Sequence, residues 1–110
     1  DNIFGQIGID LLNWNQNSFK LNEFFNDFNI KIISKSKNAV HTFIVTNGNK
    51  IYGCGRNNNG QIGLQTKDIL IKKPILLPIN ITENILEIYC GLEHSILLTS
   101  SNKVHGCGNN

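Results

Sequence analysis

The sequence predicts an all-β fold built from two copies of one four-stranded unit. Three observations carry that expectation: the chain repeats itself, each copy holds a β-branched run that turns back on itself, and each has a glycine-rich turn at a fixed place. Gly48-Asn49-Lys50-Ile51-Tyr52-Gly53-Cys54-Gly55 matches Ser101-Asn102-Lys103-Val104-His105-Gly106-Cys107-Gly108 at a shift of 53, which also lays His41 on His94 and Thr46 on Thr99. Gly5-Gln6-Ile7-Gly8 matches Gly60-Gln61-Ile62-Gly63 at a shift of 55, continuing without a gap to Ile30 on Ile85 and Ile33 on Ile88. One two-residue insertion in the first copy, between Ile33 and His41, reconciles the two shifts. Repeat one therefore runs over about residues 2–56 and repeat two over about 57–109.

After the Gly5 to Gly8 turn, Leu11 to Phe28 carries enough helix formers for a short helix. Its register partner, Thr66 to Glu83, contains Pro74 and Pro78, and proline breaks a helix. Loop and strand are expected there instead, with strands near Lys20-Leu21 and at Ile75-Leu76-Leu77. A further strand is expected at Ile30 to Ile33 and, in the second copy, at Ile85 to Tyr89. His41 to Thr46 is β-branched and aromatic, Asn47-Gly48 is a strong hairpin turn, and Lys50 to Cys54 returns. The second copy repeats this with Ser95 to Thr99, a Ser100-Ser101-Asn102 turn, and Lys103 to Cys107. Asn57-Asn58-Asn59-Gly60 reads as a turn in which Gly supplies positive φ and Asn tolerates it.

Four short strands and a glycine turn in each unit of roughly 50 residues is the pattern of a propeller blade. Two blades leave sheet faces and edges that want neighbours. Asn2, Asn57 and Asn110 share one phase of the unit, and no Met occurs. The expectation is a piece of a longer array, marginally stable by itself.

Composition excludes several classes. A net charge of +2 over 110 residues does not point to nucleic acid or chromatin as a partner. No apolar run approaches the roughly 20 residues that cross a bilayer, and no basic-then-apolar leader is present, so an intracellular protein is expected. Three cysteines, with no C-x-x-C pair and no His at zinc-ligand spacing, read as small buried hydrophobes in a reducing compartment.

Each candidate site residue also has a plainer structural role. His41 and His94 invite a metal or acid–base reading, but recurrence in each copy favours blade construction, because catalysis needs one asymmetric site. His105 stands where the first copy has Tyr52 and reads as surface or inter-blade packing. Gly53, Gly55, Gly60 and Gly63 fit neither G-x-x-x-x-G-K-[ST] nor a dinucleotide fingerprint, and read as turn glycines. Gln6 and Gln61 are expected to brace loops through their amides. Lys31, Lys35 and Lys37, and separately Lys72-Lys73, form small basic spots that read as solvated lysines rather than a docking patch for an acidic partner. Trp14 falls at the register position of Ile69: a packing residue, or, if exposed, an interaction anchor. No catalytic, cofactor-binding or metal-ligating residue is expected, and no cofactor.

These residues resemble the repeat of the regulator of chromosome condensation family: an N-x-x-G-Q-L-G turn, a Pro-containing stretch, I-x-x-I-x-x-G-x-x-H, an apolar strand ending in Thr, and a V-Y-x-W-G-x-N return. The second copy matches through Asn57 to Gly63, Pro74 and Pro78, Ile85 to His94, Ile96 to Thr99 and Val104 to Asn109. The first copy matches through Gly5-Gln6-Ile7-Gly8, His41 to Thr46 and Ile51 to Asn57. Cys54 and Cys107 replace the usual aromatic, and the first copy lacks the Gly of G-x-x-H and the middle Pro. Kelch and WD-type units are excluded by the missing Gly-Gly doublet and Trp-Asp ending. The resemblance implies two blades of a propeller of about seven, acting as a non-catalytic protein-interaction module. It also implies two alternatives: guanine-nucleotide exchange on a Ran-like small GTPase, or a targeting domain of a larger ubiquitin ligase or kinase.

Overall fold

The computed structural model describes Gln6, Gly8, residues 21–66 and residues 68–109. Runs that alternate apolar and polar side chains become strands because the two faces of a strand meet different surroundings. The strands are β1 (Ile30–Ile33), β2 (Lys35–Ser36), β3 (His41–Thr46), β4 (Lys50–Arg56), β5 (Leu70–Leu76), β6 (Ile85–Cys90), β7 (His94–Thr99) and β8 (Val104–Gly108). They form two four-stranded sheets, ordered β1-β3-β4-β5 and β2-β6-β7-β8. These are the two blades expected. The repeat also holds in the connections: the amide of Asn47 donates to the carbonyl of Asn29, and that of Ser100 to Asn84, both at 2.9 Å.

Both hairpins form as expected, with a difference at the turn. Positive φ falls on Asn49 (59°) and Asn102 (62°), and in the first hairpin also on Gly48 (83°). The shared element is thus Asn in the left-handed region at the third loop position, which Asn tolerates and other side chains resist.

Two expectations are corrected. The fourth strand of blade one does not come from its own repeat: β5, in the second repeat, pairs antiparallel with β4 (Tyr52 opposite Leu76, Gly53 opposite Ile75, Gly55 opposite Ile71). Sheet and sequence unit are out of phase because the hairpin satisfies one side of β4 and leaves its other edge open for the next segment. Leu21 lies in coil, and Lys20 lies outside the described residues. Within Leu11 to Phe28, the described part contains a single 3₁₀ turn at Glu23–Phe25, capped by the Asn22 side chain accepting from the Phe24 amide. The second correction is β2, which the sequence reading passed over as an insertion. It leaves blade one and pairs parallel with β6 of blade two (Lys35 opposite Tyr89, Ser36 opposite Cys90).

The core lies between the sheets. Phe43, Val45 and Ile51 from blade one meet Ile85, Ile88, Cys90 and Leu97 from blade two, with Ile62, Ile71 and Leu77 filling the junction. Each sheet therefore uses one face against the other.

Candidate functional site

The recurrent histidine opens the central strand of each blade, and its neighbour explains the G-C-G triplet. Gly55 has φ +109°, and a Cβ there would sit 2.5 Å from the Val40 carbonyl and 2.6 Å from the Cα of His41. Gly108 (φ +104°) meets Glu93 and His94 in the same way. Only glycine allows that approach.

His41 crosses the junction. Its Nε2 lies 2.6 Å from Ser95 Oγ, and Ser95 Oγ donates to the carbonyl of Gln61 at 2.7 Å. The one hydroxyl hydrogen is thereby used, so Nε2 must be the donor to Ser95 and Nδ1 carries the lone pair. Nδ1 is buried without a hydrogen-bond partner. Burial, and secondarily the His94 charge, push the His41 pKa down to about 4. A Ser–His pair at this distance resembles an activated nucleophile, but a base must accept the hydroxyl proton. Here the histidine donates, the serine is committed to a carbonyl, and both are buried. The pair is a latch between blades.

The glycine-rich turn is braced from within. Asn57 Oδ1 accepts from the Ile62 amide at 3.1 Å and its Nδ2 donates to the Leu64 carbonyl at 3.3 Å, while Gln61 Oε1 accepts from the Asn59 amide at 2.9 Å. The brace projects Ile62 over Gly53, where a Cβ would come within 2.6 Å of the isoleucine Cγ2. Ile62 is thus a knob in a socket that glycine leaves open.

The thiols are quiet. Burial pushes Cys54 up to about 12 and raises Cys90 and Cys107, so all three stay protonated and weakly nucleophilic. No group of three or more metal-competent side chains occurs among the described residues. A cleft of about 220 Å³ at the junction is lined by Ile62, Leu77, Ile79, Ile96 and His105. It is smaller than ordinary ligand pockets and offers almost no polar group to orient a guest.

Two lysines of the first basic spot, Lys31 and Lys35, have local partners. Lys35 meets Glu87 at 2.8 Å and lies 5.9 Å from the Tyr89 ring centre, and Lys31 donates to Asn84. Lys103 pairs with Glu83, and this hydrogen bond, followed by those from Thr99 and Ser101, holds the carboxyl down to about 2. Trp14 lies outside the described residues. Phe24, Phe25 and Phe28 gather around the Tyr52 ring at 5.3–5.6 Å between centres, an aromatic cluster that the sequence reading did not single out. Ser95 was also passed over as a functional partner, although a hydroxyl follows the histidine in both copies (Thr42 and Ser95).

Two mainly antiparallel four-stranded sheets built from one repeat, packed face on face and latched by His41 and Ser95, define a β-propeller repeat protein. The chain belongs to the regulator of chromosome condensation family: residues 49–98 match the Regulator of chromosome condensation (RCC1) repeat. It is 37% identical over 70 residues to the X-linked retinitis pigmentosa GTPase regulator of Canis lupus familiaris, covering 64% of this chain and 7% of that protein. It is 31% identical over 114 residues to the secretion-regulating guanine nucleotide exchange factor of Bos taurus, covering 99% of this chain and 23% of that one. Among solved structures it resembles Prp20p of Saccharomyces cerevisiae, described with its binding to Gsp1p and histones. That match has a TM-score of 0.70 and 25% identity, over 98% of this chain and 25% of that one. The chain thus spans a quarter or less of these proteins. No helix among the described residues is long and apolar enough to cross a membrane.

Proposed function

We propose that the chain is part of a non-catalytic, intracellular propeller that presents its loops to another protein. One observation carries this reading: the polar side chains at the blade junction and its turn are committed to construction. His41, Ser95, Asn57 and Gln61 are buried and hydrogen bonded within the junction or its turn, and the thiols are held protonated. What remains for recognition is the exposed surface, where binding needs shape and a few anchoring side chains rather than reactive groups.

Guanine-nucleotide exchange on a Ran-like small GTPase is the second reading, supported by likeness to a protein named as an exchange factor and to one described with Gsp1p binding. An exchange factor breaks no bond; it stabilises the nucleotide-free GTPase, so an absence of catalytic side chains suits it equally. The two readings separate in one experiment, a nucleotide-release assay on a panel of small GTPases with binding followed in the same samples. Binding without faster release supports the interaction module. Acceleration at micromolar protein supports exchange. Failure to bind any of them removes the exchange reading and turns the search to other proteins.

A further inference from the structure

Asn is followed by Gly at two places, Asn47-Gly48 and Asn59-Gly60, and the fold treats them differently. Asn47 and Gly48 are both exposed, in the turn between β3 and β4. The Asn47 amide anchors the backbone by donating to the Asn29 carbonyl at 2.9 Å, but neither the Asn47 side chain nor the Gly48 N–H makes a hydrogen bond among the described residues. The neighbouring sheet does not change this. Ser100 and Ser101, the counterparts 53 positions later, are exposed with blade one packed before them, just as Asn47 and Gly48 are exposed with blade two packed after them. The turn position is open with a sheet on either side.

Asn59-Gly60 lies in the braced turn instead. The Gly60 N–H donates to the Asn57 carbonyl at 3.0 Å, the Asn59 N–H donates to Gln61 Oε1 at 2.9 Å, and both residues are half-buried. Asn49 is held as well: its side-chain amide donates to the carbonyls of Ile81, at 3.2 Å, and Glu83, and the residue after it is Lys50. One Asn-Gly pair is free and the other is tied.

We propose that Asn47 is a site of spontaneous deamidation and that its brace spares Asn59. The Gly48 nitrogen, its proton taken by hydroxide, forms a bond to the Asn47 side-chain carbonyl carbon. The bond from that carbon to the side-chain nitrogen breaks, and ammonia leaves. Glycine suits the attack because no side chain crowds its nitrogen. Water then opens the five-membered imide at either carbonyl, leaving aspartate, or isoaspartate with the backbone routed through the former side chain. One water is consumed and one ammonia released, so no oxidant or reductant is needed. At Asn59 the same attack waits for the Gly60 to Asn57 bond to break and the turn to open, so its rate scales with the small population of the opened form. The product places a new carboxylate on the exposed end of blade one. The proposal rests on turn chemistry and is independent of which protein the module binds.

The test is incubation of the full chain below its melting transition at mildly alkaline pH, then tryptic digestion and fragment mass spectrometry. Cleavage after Lys50 and Arg56 puts the two sites in separate peptides. In the folded chain the acid forms of Asn47 should exceed those of Asn59 tenfold or more, and isoelectric focusing should show an acidic form growing with time. In urea, with the brace gone, the two sites should react at similar rates. Asn47→Ser installs the residue that the second copy has at Ser100; it should abolish the product in the first peptide and leave the thermal midpoint unchanged. Reaction at Asn59 as fast as at Asn47 in the folded chain would overturn the proposal. So would an Asn47 that reacts in urea but not when folded, or product that persists in the first peptide after Asn47→Ser.

Discussion

At the residue scale, the proton on His41 links the junction to pH. Its folded pKa of about 4 lies below the ordinary 6.5 because burial, first, and His94, second, disfavour the charged ring. The cysteines on the facing strands, Cys90 and Cys107, remain neutral and offer no compensating charge. A depressed folded pKa means the stabilisation is complete above pH 6.5 and is lost as pH falls through 4. The whole effect is on the order of 3 kcal/mol. Urea titrations between pH 7 and 4.5 should show stability falling, and His41→Gln, which keeps a donor toward Ser95, should flatten that slope. Glu83 acts lower: its loss begins below pH 4.5 and runs toward 2, so the two windows separate. Ile62, fully buried in its socket, should cost about 3 kcal/mol when cut to Ala, measured by the same titration. The two histidines were legible in sequence as equals, and so were the turn glycines. Which histidine is buried was not, because burial is set by what lies across the junction, some 50 residues away in the chain.

At the element scale, β2 and β5 decide how the blades are joined. Each belongs by sequence to one repeat and by hydrogen bonding to the other blade's sheet. The β2 crossing places Lys35 against Glu87, but an exposed ion pair contributes little. Lys35→Ala should therefore change stability by less than about 1 kcal/mol, the backbone pairing of Lys35 and Ser36 being what holds β2. Strand β5 is an edge, and Lys72, Lys73 and Pro74 sit where its ladder slips between Ile71 and Ile75. Charge and proline on an edge discourage another chain from pairing there. Replacing Lys72 and Lys73 with Val should raise light scattering on standing at 37 °C while the far-ultraviolet spectrum stays unchanged. The hairpins were readable because their signals lie within a dozen residues. The two-residue β2 was not, since so short a run has no periodicity to detect and owes its strand geometry to the edge of β6.

At the scale of the whole molecule, one shared core serves two sheets. Fifteen large hydrophobic side chains stay exposed among the described residues, many of them on the faces that do not meet. A chain of this length has a thin margin between apolar burial and conformational entropy, and here only one face of each blade contributes fully. The 110-residue chain should melt broadly and at low temperature, whereas a sharp cooperative transition in calorimetry would show that the single junction suffices.

By itself the amino-acid sequence determined the all-β class, the repeat, both hairpins and the correspondence between copies, because propensity, alternation and turn chemistry are local. Tertiary structure alone decided that each sheet borrows a strand across the repeat boundary. It also decided that His41 is a sealed latch while His94 is exposed. Strand pairing and burial are properties of surfaces brought together by the fold, and two similar stretches of chain differ in this structure according to which face the other sheet covers.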